Sequence, residues 1–329
     1  METCVLLCAV RLDARYVRKR AGERVIEREA PFSPVPTDFA ILPPMTTHGT
    51  LIICPTPIGN LGDMPLRALD ALRGADVVCA EDTRVTGKLL AAFGVEKRLE
   101  RLDEATISHA AARIVERVLA GERIAYCSDA GMPGVSDPGQ RLVDAALDAG
   151  APVEVLPGPT AVATAYVASG FPCPRFYFGG FFPRKAGERS AVLQGLRALD
   201  AVALFYESPN RIASALEAVA AELPHRRVAV CRELTKVHEE VVRGRAAEVR
   251  DEFERRVEAG GVKGEIVLVI DAPSAEEHEA AGEAAHASAE ERAAELRADG
   301  SLSTKDIVKA LRAEFGISRN KAYEIATRA

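Results

Sequence analysis

No run of about 18 or more uncharged apolar residues occurs in the chain, so nothing in it reads as a membrane span. No C-x-x-C pair occurs among its seven cysteines, which are scattered, so the clustered ligands of a metal centre are missing and no metal is expected. Cys54, Cys79, Cys127 and Cys231 lie instead in apolar, strand-like runs, where a thiol behaves as a small buried hydrophobe. That usage fits a reducing, cytoplasmic compartment. No G-x-G-x-x-G is present: Gly59 and Gly62 lack the third glycine, which disfavours a dinucleotide site. Gly87-Lys88 is followed by Leu89 rather than Ser or Thr, so there is no P-loop. His238-Glu239-Glu240 lacks the second histidine of a zinc protease, and Ser208 lacks the glycines of a nucleophile elbow. Hydride transfer, nucleotide hydrolysis and serine-type hydrolysis all lose support.

What is present is a chain with material for a core: 48% of its 329 residues are apolar, and the length suits two or three compact units. The net charge of −6 at first argues against a polyanionic partner. Residues 273–300, however, carry eight acidic and two basic side chains, so that one segment accounts for the excess. Residues 1–48 differ from the rest, being Arg-rich and then Pro-rich, with no basic leader before VLLCAV. They are expected to form a poorly ordered extension, with Met45 as the natural start.

From residue 49 onward, short apolar runs alternate with helical patterns. Strands are expected at 51–54, 76–82, 123–128 and 152–156, with helices at 65–75, 85–93, 107–122 and 137–150 between them. Ile107, Ala111, Ile114, Val118 and Leu119 mark one helical face. This alternation indicates a largely parallel sheet with crossover helices over 49–157. A second lobe over 158–271 is expected to hold strands at 175–182, 201–207, 227–234, 239–244 and 264–270, with helices at 188–199, 209–222 and 246–258. The fold class is therefore α/β, two-lobed, with a cleft between the lobes. Residues 272–300 read as an acidic linker, helical in part at most. In 301–329, Ser303 and Asp306 form a capping-box-like start, Gly316 a stop, Ser318 a second cap, and Tyr323 and Ile325 an apolar side, predicting a helix–turn–helix unit.

Three unusual loops fall at the carboxyl ends of strands, where α/β sheets bind ligands. TPIGNLGD (56–63), SDAGMPGVSDPG (128–139) and PGPTAVA (157–163) are rich in Gly and Pro. Glycines allow close backbone approach and prolines stiffen turns, so the three together suit a small molecule read mainly by main-chain groups.

In order along the chain stand TPIGNLGD, AEDTR (80–84), SDAGMPGVSDPG, LPGPTA (156–161), FYESPNRI (205–212), CRELTKVHEE (231–240) and KGEIVLVI (263–270). This series closely resembles the ribosomal small-subunit methyltransferase I family, a branch of the tetrapyrrole-methylase-like S-adenosylmethionine enzymes. The resemblance covers about residues 49–271, and the tail resembles the helix–turn–helix module that ends these proteins. It implies 2′-O-methylation of a decoding-centre cytidine in 16S rRNA within the small ribosomal subunit, S-adenosylmethionine as methyl donor in the interlobe cleft, and a homodimer. Carried over, the cofactor residues are Pro57, Asp129, Gly131, Asp137 and Thr160, with Tyr206, Glu207 and Glu265 closing the site. Met132 stands where the family often has Thr, and Asn210 where it often has His, so a histidine base is not available there.

A ribose hydroxyl is a weak nucleophile until its proton leaves, so a carboxylate near the substrate is the expected base. Glu81, Asp82, Asp129 and Glu207 are the candidates, with Glu81 and Glu207 preferred. Asp129 and Asp137 have an alternative use as acceptors of loop N–H groups, and Glu81 and Asp82 as partners of Arg84. RNA contact needs cations: Arg84, Lys88, Arg184, Lys185, Arg189, Arg211 and Lys236 are the candidates, with Arg232 also adjacent to a motif. Phe181 and Phe182, beside the Arg184/Lys185/Arg189 group, could stack on a base or pack in the core. Arg312, Arg319 and Lys321 could add phosphate contacts from the tail. Two rival readings remain: a tetrapyrrole methyltransferase of the same fold, and a non-catalytic RNA-binding ribosome-assembly factor.

Overall fold

The computed structural model describes residues 49–299 and 302–327. The proposed N-terminal extension, residues 1–48, lies outside them. The first half alternates β1 (Thr50–Ile53), α1 (Leu66–Gly74), β2 (Val77–Ala80), α2 (Thr83–Ala92), β3 (Leu99–Arg101), α3 (Ile107–Leu119), β4 (Arg123–Cys127), α4 (Gly139–Asp148) and β5 (Val153–Val155). Its sheet runs β3-β2-β4-β1-β5 with every pairing parallel. β1 and β2 are buried along their whole length, because helices cover both faces of a parallel sheet. On α3 the inward face is Ile107, Ala111, Ile114, Val115 and Val118; Leu119 is 54% exposed. Leu119 follows Val118 by about 100° on the helical wheel, which carries it off that face.

After α5 (Ala161–Ser169) come β6 (Phe176–Phe181), α6 (Ala186–Leu196), β7 (Val202–Glu207), α7 (Ile212–Glu222), β8 (Arg227–Arg232), β9 (Glu240–Arg245), α8 (Ala246–Glu258) and β10 (Ile266–Ile270). The second sheet is ordered β6-β7-β10-β8-β9; only β6 and β7 pair in parallel. Val162 and Ala165 of α5 join a core with Leu204, Ala229 and Val267, so α5 packs on this second sheet.

The acidic segment is more ordered than its composition suggests. It forms one helix, α9 (Ala275–Asp299), followed by α10 (Thr304–Phe315) and α11 (Arg319–Thr327). Alanine is the best helix former, which compensates for the scarcity of large apolar residues. Ala289 and Ala293, four residues apart and fully buried, let α9 pack closely against Ile307, Leu311 and Ile325. Ser303 and Asp306 form the expected reciprocal cap, and Gly316 closes α10 at φ 64°. Tyr323, expected on the apolar side, is 60% exposed; Ala322, Ile325 and Ala326 form the buried face instead. No helix among the described residues is long and apolar enough to cross a membrane.

Candidate active site

The sheet order places β1 between β4 and β5, so the three glycine-rich loops leave adjacent strand ends. The first two loops are bonded to each other. Thr56 N–H donates to the Gly131 carbonyl (2.9 Å) and Gly131 N–H to the Thr56 carbonyl (3.1 Å). Gly131 has φ 81°, a conformation L side chains rarely adopt, and it lies against Ile58 and the Pro159 carbonyl. In the third loop, a Cβ on Gly158 would lie 2.3 Å from two carbons of the Pro55 ring, so this crossing admits only glycine. The loops frame an interlobe cleft of about 440 Å³.

Asp137 folds the second loop. Its Oδ2 accepts the Gly134 N–H (2.7 Å) and its Oδ1 the Gly139 N–H (2.9 Å). Burial nevertheless raises its pKa above the usual carboxylate value, with the loop N–H groups opposing that shift. Asp129 accepts the Asp82 N–H at 3.0 Å, tying the end of β4 to the start of α2. Glu81, between them, lines the cleft, and its pKa is raised first by burial and then by the Asp129 carboxylate. Asp82 is the N-cap of α2 and is held well below the usual range by the Arg84 side chain and backbone, so it is a structural acid. Thr160 opens α5 without a side-chain cap bond and lines the cleft.

The second lobe supplies the opposite wall. Tyr206 sits among Phe178 and Phe181, edge to face with ring centroids 4.9 and 5.6 Å away, and burial pushes its phenol up to about 12. A register shift in β6 between Phe178 and Phe181, at Gly179 and Gly180, sorts the two adjacent phenylalanines. Phe182 is core, whereas Phe181 is 64% exposed and lines the cleft. Glu265 lines the rim and pairs with Lys236 (3.0 Å), which also holds Glu233 (2.9 Å). Glu233 and Thr235 both have positive φ, 52° and 66°, without being glycine. This turn is also where the lobes meet: a Cβ on Gly59 would lie 2.4 Å from the Lys236 side chain. Backbone held in such conformations at a cleft rim is what sites requiring a fixed shape store.

Glu207 lines the cleft but is committed elsewhere. It is 5% exposed, accepts from Arg211 Nε (2.7 Å) and takes the Ser208 N–H (2.6 Å). Arg211 also donates to the Phe182 carbonyl (3.0 Å). The pair, a buried carboxylate held by a half-buried arginine, braces β7 to α7, which leaves Glu207 poorly placed as a base and Arg211 poorly placed as a phosphate ligand. Pro57 does not line the cleft; it lines a neighbouring groove together with Lys88. Of the remaining cations, Arg84 is paired with Asp82 (2.6 Å), Lys185 with Glu188 (2.9 Å), and Arg189 donates to Ser214 (2.9 Å). Among the described residues, Lys88 and Arg184 have no carboxylate partner. Two residues that sequence reasoning passed over matter here. Thr56 is 1% exposed and joins the loops, and Ser128 is 3% exposed with a hydroxyl lacking any partner at the cleft wall. Their place as the first residues of two of the glycine motifs was the available signal.

Residues 50–250 match the family model for Tetrapyrrole (Corrin/Porphyrin) Methylases. A ribosomal RNA small subunit methyltransferase I from Mesorhizobium japonicum is 41% identical over 230 residues, 70% of this chain and 77% of that protein. The chain belongs to the ribosomal RNA small subunit methyltransferase I family of tetrapyrrole methylases. The Thermotoga maritima member is 40% identical over 222 residues, which are 68% of this chain but 98% of that protein. The crystal structure of diphthine synthase shares the fold at TM-score 0.53 and 18% identity, over 68% of this chain and 90% of that one. The family's methyl donor is S-adenosylmethionine. The cleft fits that group. Ile58, Val135, Leu234 and Val267 offer apolar walls for the purine, and Ser128 a buried hydroxyl in need of a partner. Glu81, Asp129 and Asp137 supply negative charge that suits a sulfonium.

Proposed function

We propose that the chain transfers a methyl group from S-adenosylmethionine to small-subunit rRNA, at the ribose 2′-oxygen of a decoding-centre cytidine, as a cytoplasmic homodimer. The observation that carries this reading is Glu81, a cleft carboxyl whose pKa is raised by burial and by Asp129. A base works best when its pKa approaches the working pH, and this shift moves Glu81 that way. The names of its relatives support rRNA as the substrate, and Lys88 in the adjoining groove, with no described carboxylate partner, suits a phosphate.

The bound cofactor supplies an electrophilic methyl group, and the rest falls to this chain. Residues on both lobes hold the reactants in line, which is where most of the rate of a displacement arises. The 2′-hydroxyl proton passes to the Glu81 carboxylate. Tyr206 stays protonated at neutral pH and forms an apolar wall with Phe181. Asp137 and Thr56 keep the first two loops in one shape, and Glu207 with Arg211 does the same for the opposite wall.

Incubation with tritiated S-adenosylmethionine and undermethylated small subunits tests the reading. Label in 16S rRNA, at a linkage that resists alkaline hydrolysis, is expected. Label only in a porphyrinoid would place the chain with the tetrapyrrole enzymes. Cofactor binding with no label anywhere would make it a non-catalytic assembly factor.

A further inference from the structure

A second hollow of about 370 Å³ adjoins the cofactor cleft and shares Ser128 and Asp129 with it as a common wall. Its sides come from Pro57 and Leu61 of the first loop and from Val85 and Leu89 of α2. Leu61 is 52% and Val85 42% exposed, so apolar surface is left open next to the chemistry. Lys88, one turn along α2 from Val85, stands at the margin, and no described carboxylate pairs with it. Ser128, 3% exposed, adds a buried hydroxyl with no partner in the wall. Core packing does not account for Leu61 and Val85, because both line the hollow with large exposed surface.

Apolar sides and one cation with no described carboxylate partner are elements of a single-nucleotide pocket. Apolar side chains pack against the face of any base, and a lysine takes the phosphate as a point charge. A methyltransferase acting on one ribose in a strand must also place the nucleotide beside it. We propose that this hollow is the subsite for the base flanking the methylated nucleotide, gripped by Leu61 and Val85 with Lys88 on the intervening phosphate. The inference rests on the rRNA reading above and adds to it the residues that set substrate register. Continuity through Ser128 and Asp129 is what joins the two pockets into one strand path.

The test compares the Leu61→Ala/Val85→Ala double variant, Lys88→Ala and wild type, with undermethylated small subunits as substrate. Both altered apolar positions are solvent-exposed, so the fold is retained. The double variant is expected to raise KM for subunits about tenfold with kcat near wild type, because apolar contact with a base is lost rather than a reacting group. Its affinity for S-adenosylmethionine by calorimetry and the slope of log KM against log salt should stay unchanged. Lys88→Ala should lower that slope by about one contact. Leu61→Met/Val85→Ile should restore the wild-type KM, and Leu147→Ala, an exposed leucine on α4, should leave it untouched. A double variant within twofold of wild type in KM overturns the proposal, as does one that weakens cofactor binding as much as subunit binding. Absence of rRNA methylation by wild type would instead sink the functional reading, and this inference with it.

Discussion

Asp137→Ala is the substitution with the best-defined consequence. Both oxygens of this side chain are occupied by backbone N–H groups of its own loop, at 2.7 and 2.9 Å. Hydrogen bonds to a charged acceptor contribute about 1.5–3 kcal/mol each, and the half-buried position puts both at the lower end. Removing the two therefore releases about 3 kcal/mol of loop order, which corresponds to about a hundredfold weaker cofactor binding. Asp137→Asn keeps one acceptor and turns an NH2 toward the other N–H, so about a tenfold loss is expected. Global stability should respond differently. Burial raises the pKa of Asp137 in the folded state above its unfolded value. The stability linked to its proton is thus fully present below the unfolded pKa and lost as pH rises through the folded pKa. At neutral pH the wild type carries an ionisation penalty that Asn escapes. Asp137→Asn should therefore keep the Tm of wild type while binding cofactor more weakly. Titration calorimetry and thermal unfolding at pH 7 read both quantities. Wild-type cofactor affinity in Asp137→Ala would refute the account of how this loop is held.

Glu81→Gln should lower kcat by about 10²–10⁴-fold with cofactor affinity within twofold, measured in single-turnover methyl transfer. In wild type the rate should climb as pH rises through the raised Glu81 pKa, and Asp129→Asn should move that limb to lower pH without abolishing it, since burial is the larger cause. Arg211→Ala strands the buried Glu207 carboxylate and should cost about 3 kcal/mol in urea unfolding, more than a surface pair would. Gly158→Ala drives a methyl group into the Pro55 ring and should destabilise by about 2 kcal/mol, with cofactor binding weakened as the third loop shifts.

The parallel first sheet was legible because buried strands are continuous apolar runs and the intervening helices have their own period. β3 escaped notice for the opposite reason. Leu99–Arg101 has no apolar run and becomes a strand only by pairing with the edge of β2. The glycine loops announced a site, since Gly and Pro mark backbone that must take unusual shapes. Which atoms those loops bond was not legible: Asp137 could equally have faced the ligand, and only the turn geometry directs both oxygens to N–H groups. Phe181 and Phe182 show the same limit. Neighbours on a strand point to opposite faces, and the irregularity at Gly179–Gly180 decides which of them reaches the cleft. α9 leaves little amphipathic signature in the sequence, because its buried side is built on Ala289 and Ala293 rather than on large apolar residues.

The basic residues sort by what an incoming phosphate would have to displace. Arg84 and Lys185 hold carboxylates at the surface, with the arginine side chain 85% and the lysine 81% exposed. Such pairs contribute about 0–1 kcal/mol, so an RNA phosphate can replace the carboxylate at little cost. Lys236 is bound to two carboxylates and packed under Gly59, and drawing it away would also disturb the contact between the lobes. Arg211 is fixed more firmly still, because Glu207 is 2% exposed at its side chain and would be left charged and dry. On the proposed rRNA reading, Lys88 and Arg184 would meet a phosphate with no described carboxylate to displace, and Arg84 and Lys185 would do so by exchange. Arg211, within FYESPNRI, is held by Glu207 and the Phe182 carbonyl, so on that reading it would shape the cleft wall rather than bring charge to the substrate.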